Sequence, residues 1–341
     1  YSSGRGGRFQ LWETGIDGLD SGLKLLGDHV GVAMHPAVRP GQPSAEPEVA
    51  FEHLIRHDHI WRLDLKNPEP ARRPEQVTRS TWSDHTPVVS PDGTMLAFSS
   101  DQSGTSGVWV APSDGKGIPQ LLTRTERPHR NVWASSWSPD GKSLSVFPME
   151  RNSEIRLDDR HVTQLSLDAP DGGTEHFRSR DGRSVFFFAP ADGKPNLWVQ
   201  AEGSQRARRI TPDRASAAAE SFDGKTVYYT KHPDYPYGLW SIPLGGGPEK
   251  LVVPGVRTSS WSASREGIYF LDFSDGSRNR YLPRDVLFHG FGTVGTQKVA
   301  HLESAGAVNL LPGFSVSADG RWIYWSQRDY LNSDISALTG W

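Results

Sequence analysis

The sequence has no cysteine, only 3 methionines and no long apolar run, and neither sign of charge dominates it. Without thiols there is no disulfide, no thiolate nucleophile and no Cys-ligated zinc. The compartment stays open on that count, because a thiol-free chain suits an oxidising or a reducing space. No stretch approaches the roughly 20 apolar residues of a membrane-spanning helix. Lys plus Arg number 37 against 40 Asp plus Glu, too balanced for a face that binds a nucleic-acid backbone. Short basic clusters at Arg72-Arg73, Arg206 to Arg209 and Arg278 to Arg280 sit among turn residues and read as solvated loops. The chain starts at Tyr1 without an initiator Met and is expected to be a processed or excised piece of something longer.

What is abundant points one way. Thirty-five Gly, 25 Pro and 12 Trp in 341 residues fit many short strands joined by tight turns, and exclude helical solenoids. A Ser-x-Asp-Gly element recurs at Ser90 to Gly93, Ser138 to Gly141, Ser179 to Gly182, Ser221 to Gly224 and Ser317 to Gly320. Weaker copies are Ser264-Arg265-Glu266-Gly267 and Val38-Arg39-Pro40-Gly41. Successive copies are 41 to 53 residues apart, the spacing of a propeller or solenoid.

The copy from His85 to Thr123 reads as four strands: Thr86 to Ser90, Thr94 to Ser99, Val108 to Ala111 and Pro119 to Thr123. Asp-Gly between apolar runs marks the hairpin, since the turn needs a positive φ that Gly adopts without strain. Trp109, Trp198 and Trp240 each follow the acidic residue by 17 positions, and an indole repeated at one place per unit fills the space between sheets. The fold class expected is therefore all-β: a seven-bladed β-propeller of four-stranded antiparallel blades, preferred to six or eight, spanning 1–341 as one domain. Segments 1–26 and 313–341 are expected to combine in the closing blade, which hides the edge strands. Segments 149–160 and 274–292 read as insertions and, with the channel mouth, as the interaction surface.

The Ser-Pro-Asp-Gly turns, the aromatic strands Leu96-Ala97-Phe98-Ser99 and Val227-Tyr228-Tyr229, and the aliphatic-Trp strands resemble the WD-like (PD-repeat) propellers of the TolB-like superfamily. His59 to Leu65, Asp223 to Tyr229, Gly267 to Asp272 and Asp319 to Leu338 are most similar to the propeller that follows the winged helix in bacterial transcriptional regulators. That resemblance implies a sensory or protein-interaction module of a bacterial protein, with an extracytoplasmic setting favoured over a cytoplasmic one.

Chemistry is sparse. No Gly-x-Ser-x-Gly elbow occurs, so a serine peptidase is not expected. His57 and His59 flank Asp58 and, two apart on an extended segment, share a side. They are the candidate ligands for a divalent metal, the one cofactor the sequence suggests, set against the reading of a solvated loop that enters the third strand of its blade. In a propeller the first strand of each blade lines the axis, so residues at one offset from the acidic position form a ring. Seven positions before it the ring includes His85 and Trp133; five before, it includes His35, His176 and Trp261 beside Pro87, Ser135, Ala218 and Phe314. His35, His85, Trp133, His176 and Trp261 are accordingly the candidate ligand-binding residues, for a protein, small molecule or glycan at the channel mouth. The function expected is non-catalytic binding. The alternative is a lyase acting on an acidic polysaccharide, with a channel histidine as base.

Overall fold

The computed structural model describes residues 2–3, 10–13, 24–25, 32–39, 48–68, 72–125, 132–147, 152–169, 175–231, 237–258, 260–273, 285–302 and 313–339. Among them the sheets form six four-stranded antiparallel blades, not the seven expected. Blades 1 to 5 begin with inner strands Asp84–Val89, Trp133–Trp137, His176–Arg178, Ala217–Glu220 and Trp261–Ala263, and each runs outward through three more strands in chain order. Blade 6 is composite: Phe314–Val316 and Trp322–Thr339 from the C-terminal end pair with Glu48–Asp64 and Glu75–Gln76 from the N-terminal half.

The motif becomes a hydrogen-bonded turn. Ser90 Oγ donates to Asp92 Oδ1 at 2.6 Å and accepts the Met95 N–H at 2.9 Å, while Asp92 accepts the Thr94 N–H at 3.0 Å. Gly93, at φ 77°, donates its N–H to the Ser90 carbonyl, a backbone conformation in which any Cβ is strained. The same 2.6 Å serine–aspartate bond recurs at Ser138, Ser179, Ser221 and Ser317. These donors, the serine hydroxyl foremost, hold Asp92, Asp140, Asp181 and Asp223 below the usual carboxylate range.

The overcount of blades has a physical cause. Val38-Arg39-Pro40-Gly41 carries neither the serine nor the aspartate that makes this turn, and Pro40 and Gly41 lie outside the described residues. The strand before them, Val32–Arg39, adds to the far half of Glu48–Asp64, with Val32 opposite Leu54 and Arg39 opposite Glu48. It lengthens the closing sheet instead of starting a blade. The N-terminal share of that blade comes from 48–76; the strands described within 1–26, Ser2–Ser3, Gln10–Glu13 and Lys24–Leu25, pair with one another. The segments read as insertions hold third strands, Ser153–Arg156 of blade 2 and Asp285–Gly290 of blade 5, with 148–151 and 274–284 outside the described residues.

The tryptophan spacing translates into register. Trp109, Trp198, Trp240 and Trp61 sit on third strands opposite Phe98, Phe187, Tyr229 and Trp325 of the second. Apolar clusters then fill the seams between blades: Phe98 and Leu96 of blade 1 meet Ile60 and Tyr324 of blade 6. Truncating one such fully buried aromatic to alanine costs about 3–5 kcal/mol, more than the ~1–3 kcal/mol of a lost turn hydroxyl.

Side chains reinforce the closure of the ring. Asp64, buried, accepts from Arg321 at 2.7 and 3.0 Å. His59 Nδ1 meets Asp329 Oδ2 at 2.7 Å and its Nε2 meets the Ser80 carbonyl at 2.7 Å, so both ring nitrogens face acceptors and both carry protons. Asp329 also accepts the Trp61 indole N–H at 2.8 Å.

Two outcomes are expected. Ser138→Ala leaves the Ser143 N–H without a partner and the Asp140 carboxylate with only the Lys142 N–H in that turn; chemical denaturation should register a loss of about 1–3 kcal/mol with an unchanged circular dichroism spectrum. The hydrogen bond that His59 donates to Asp329, more than any other contact, raises the His59 pKa from 6.5. The stability this contributes is complete below 6.5 and is lost as pH rises through the raised folded value. The stability gap between wild type and His59→Gln in urea melts should therefore narrow from acid to alkaline buffer, and a pH-independent gap counts against a charged His59.

Candidate functional site

The six inner strands surround an axial cavity of about 540 Å³, within the range that takes a small molecule or a short peptide. The ring five positions before each turn acid lies in its wall: Pro87, Ser135, His176, Ala218, Trp261 and Phe314. Hydroxyls of the wall tie neighbouring blades together. Ser262 Oγ accepts the Val316 N–H, Ser315 Oγ accepts the Val89 N–H, and Ser135 Oγ donates to the His176 carbonyl. The inner strand of blade 1 is strained where it lines the cavity: Thr86 has φ 54°, rare for a β-branched residue, beside a register shift between His85 and Val88.

Of the five proposed ligand residues, the structure brings His176 and Trp261 into the cavity wall. His176 is fully buried, and neither ring nitrogen has a hydrogen-bond partner. Burial, helped by the charge of Arg178, pushes its pKa down to about 4, so the ring is neutral at pH 7. Trp261 is 8% exposed, and its indole N–H is likewise unpartnered. His85 and Trp133 belong to inner strands but do not line the cavity. Trp133 packs edge-on against Phe147, and its indole stands beside Glu175, whose pKa burial raises. His35 falls on Val32–Arg39, not on an inner strand, and its side chain lies outside the described residues.

His57 and His59 do share one side of their strand, with rings stacked 6.4 Å apart. The bonds of His59 to Asp329 and Ser80 leave it no lone pair for a cation, and Asp58 between them accepts from Arg328 at 3.1 Å. Among the described residues no group of three His, Asp or Glu side chains is placed to hold a metal ion.

The feature that sequence reasoning missed sits one residue before the turn acid. Position x of Ser-x-Asp-Gly supplies Pro91, Pro139, Arg180, Phe222, Arg265 and Ala318, and all six line the cavity. The Arg180 guanidinium lies 3.5 Å from the centre of the Phe222 ring, and that of Arg265 lies 5.4 Å from it. Neither makes an ion pair among the described residues; Arg180 Nη2 reaches only the Glu220 carbonyl at 3.4 Å. Burial and then the like charge of Arg265 lower the Arg180 pKa, against the pull of Glu220. Glu220 itself accepts the Arg180 backbone N–H at 2.5 Å. By contrast, Arg178 is held by both oxygens of Glu154, at 2.7 and 2.9 Å. The distance ruler that found the ring of His176 and Trp261 would have found this one at its own variable position.

A depressed His176 pKa makes a direct forecast. Its ring carbons should show no titration in NMR spectra between about pH 5 and 8. Its share of stability is present above 6.5 and is lost as pH falls toward about 4; a midpoint near 6.5 would mean that the ring is solvated.

No protein-family model matches the sequence, and no curated protein matches it either. Solved structures do. A TolB candidate from Agrobacterium tumefaciens is 16% identical, over 81% of this chain and 99% of that one, with a TM-score of 0.59. TolB from Acinetobacter baumannii is 15% identical, over 89% and 82%, with a TM-score of 0.53. An oligogalacturonate lyase in complex with manganese is 12% identical, over 85% and 77%; its TM-score of 0.48 carries no argument. At such identities the likeness extends to the fold alone. This chain folds as a TolB-like β-propeller.

Proposed function

We propose that the chain is a non-catalytic binding module that takes its ligand into the axial cavity, with His176 and Trp261 among the contacts. The observation that carries this reading is the cavity itself: about 540 Å³, walled by six strands whose buried polar groups at His176 and Trp261 lack partners. Buried donors and acceptors without partners cost stability, and a bound ligand supplies what they lack. A pKa of about 4 at His176 favours hydrogen bonding over proton abstraction, for which a base poised near neutrality is needed. The likeness to propellers that follow winged helices supports a sensory or interaction role in a longer bacterial protein.

Ala218→Trp places an indole in the cavity wall and is the test. Native mass spectrometry of wild type incubated with a small-molecule extract is expected to show one bound molecule per chain, and the folded variant to show none. A variant that binds as wild type does, or a wild type that captures nothing, overturns the reading.

A further inference from the structure

The geometry points to a carboxylate subsite at the cavity mouth, formed by Arg180 and Arg265 on either side of Phe222. The inference rests on the cavity being the ligand site and adds the chemical class of the ligand: a small organic acid whose carboxylate meets the two guanidiniums while its body enters the channel.

Three adjacent blades contribute one residue each, all from the x position of the turn, so the fold sets the spacing of the trio rigidly. Phe222 anchors the pair. With Arg180 at 3.5 Å and Arg265 at 5.4 Å from its centre, the ring lies within cation–π reach of both cations. A guanidinium stacked on a ring keeps its N–H donors at the edge, where a carboxylate is recognised in bidentate fashion. Those donors are largely unspent: Arg265 makes no side-chain hydrogen bond among the described residues, and Arg180 makes one long one to a carbonyl.

Charge supports the same assignment. Two guanidiniums sharing one ring repel each other, and the like charge of Arg265 works with burial against the charged form of Arg180. The nearest carboxyl, Glu220, is engaged by the Arg180 backbone N–H. An arriving anion removes the repulsion and completes the donor set. The second observation comes from the interior of the site. His176, fully buried, and Trp261, 92% buried by its 8% exposure, stand in the wall of the same cavity with ring nitrogens that lack partners. An amide in the ligand body offers a donor and an acceptor of the kind these groups lack.

Two probes carry an amide and a terminal carboxylate: hippurate, a free aromatic acid, and N-acetyl-trialanine, a peptide chain end. Each is compared with its neutral carboxamide by ligand-observed NMR and calorimetry. At least one acid is expected to bind wild type about tenfold or more tightly than its amide, with an affinity that falls as salt rises. The acid that binds identifies the source of the carboxylate. Arg180→Gln and Arg265→Gln should each erase that preference while leaving amide binding and the melting temperature in place. Arg265, exposed and bonded to nothing through its side chain but the ring, is the safer variant for folding. Equal affinities of acid and amide, a preference that survives both Gln variants, or no acid binding at all overturns the subsite. Ala218→Trp separates the two claims. Loss of acid and amide binding together keeps the channel reading, whereas an arginine-dependent acid preference that survives the plug removes the channel and leaves the subsite.

Discussion

The serine hydroxyl that donates to an aspartate two residues on and accepts a backbone N–H five residues on is the contact from which the propeller is assembled. It fixes the angle at which each inner strand hands over to the second strand, and so fixes where six inner strands stand around the axis. In blades 1, 2, 3, 4 and 6 the bond has one length, 2.6 Å. In blade 5 Glu266 replaces the aspartate, and Ser264 Oγ instead accepts the backbone N–H groups of Glu266 and Gly267 at 3.2 Å. The blade still closes because Ser264 also donates to the Gly267 carbonyl. A longer acidic side chain is therefore tolerated when the serine rearranges its bonds.

This geometry explains why the channel chemistry sits where it does. Within Ser-x-Asp-Gly, three positions are committed: the hydroxyl, the carboxylate and the residue that accepts a positive φ. Only x has a side chain with no part in the turn, and the turn aims it at the axis. The motif thus holds three positions nearly constant around the ring while offering six free substitutions at one radius. Two of these are arginine and one is phenylalanine, on consecutive blades, which concentrates charge on one side of the mouth instead of spreading it.

The repeat, the four-stranded blade and the ring of His176 and Trp261 were legible because they depend on local spacing. Alternation within a strand and 17 residues from acid to Trp are short-range quantities, and the register of Phe98 with Trp109 or Tyr229 with Trp240 follows from them. Blade number was not legible, because it depends on a pairing between residues about 270 apart. Trp322–Thr339 is one strand of 18 residues, although Trp322 to Trp325 and Asp334 to Leu338 look like two. Its partner Glu48–Asp64 contains His57 and His59, whose surroundings are set by Asp329 across the closure. Nothing near His59 in the sequence announces that both of its nitrogens will be occupied. The arginine pair stayed hidden for a different reason: each arginine stands in a tight turn, where an exposed cation is the ordinary solution.

The seams between blades show how the polar channel coexists with a stable ring. The described apolar clusters join blades 1 and 2, 3 and 4, 4 and 5, 5 and 6, and 6 and 1. Between blades 2 and 3 the described contacts include polar groups: Glu154 with Arg178, and Ser135 with the His176 carbonyl. A buried ion pair roughly offsets its own desolvation, so the Glu154–Arg178 pair gains less than apolar contact of equal area. It also brings Arg178 close enough to depress His176 further than burial alone. Closure, through the long pairing of Trp322–Thr339 with Glu48–Asp64, prevents blades 2 and 3 from separating without opening elsewhere. Polar groups that a free-standing pair of sheets could not afford are thereby held in the wall of the cavity.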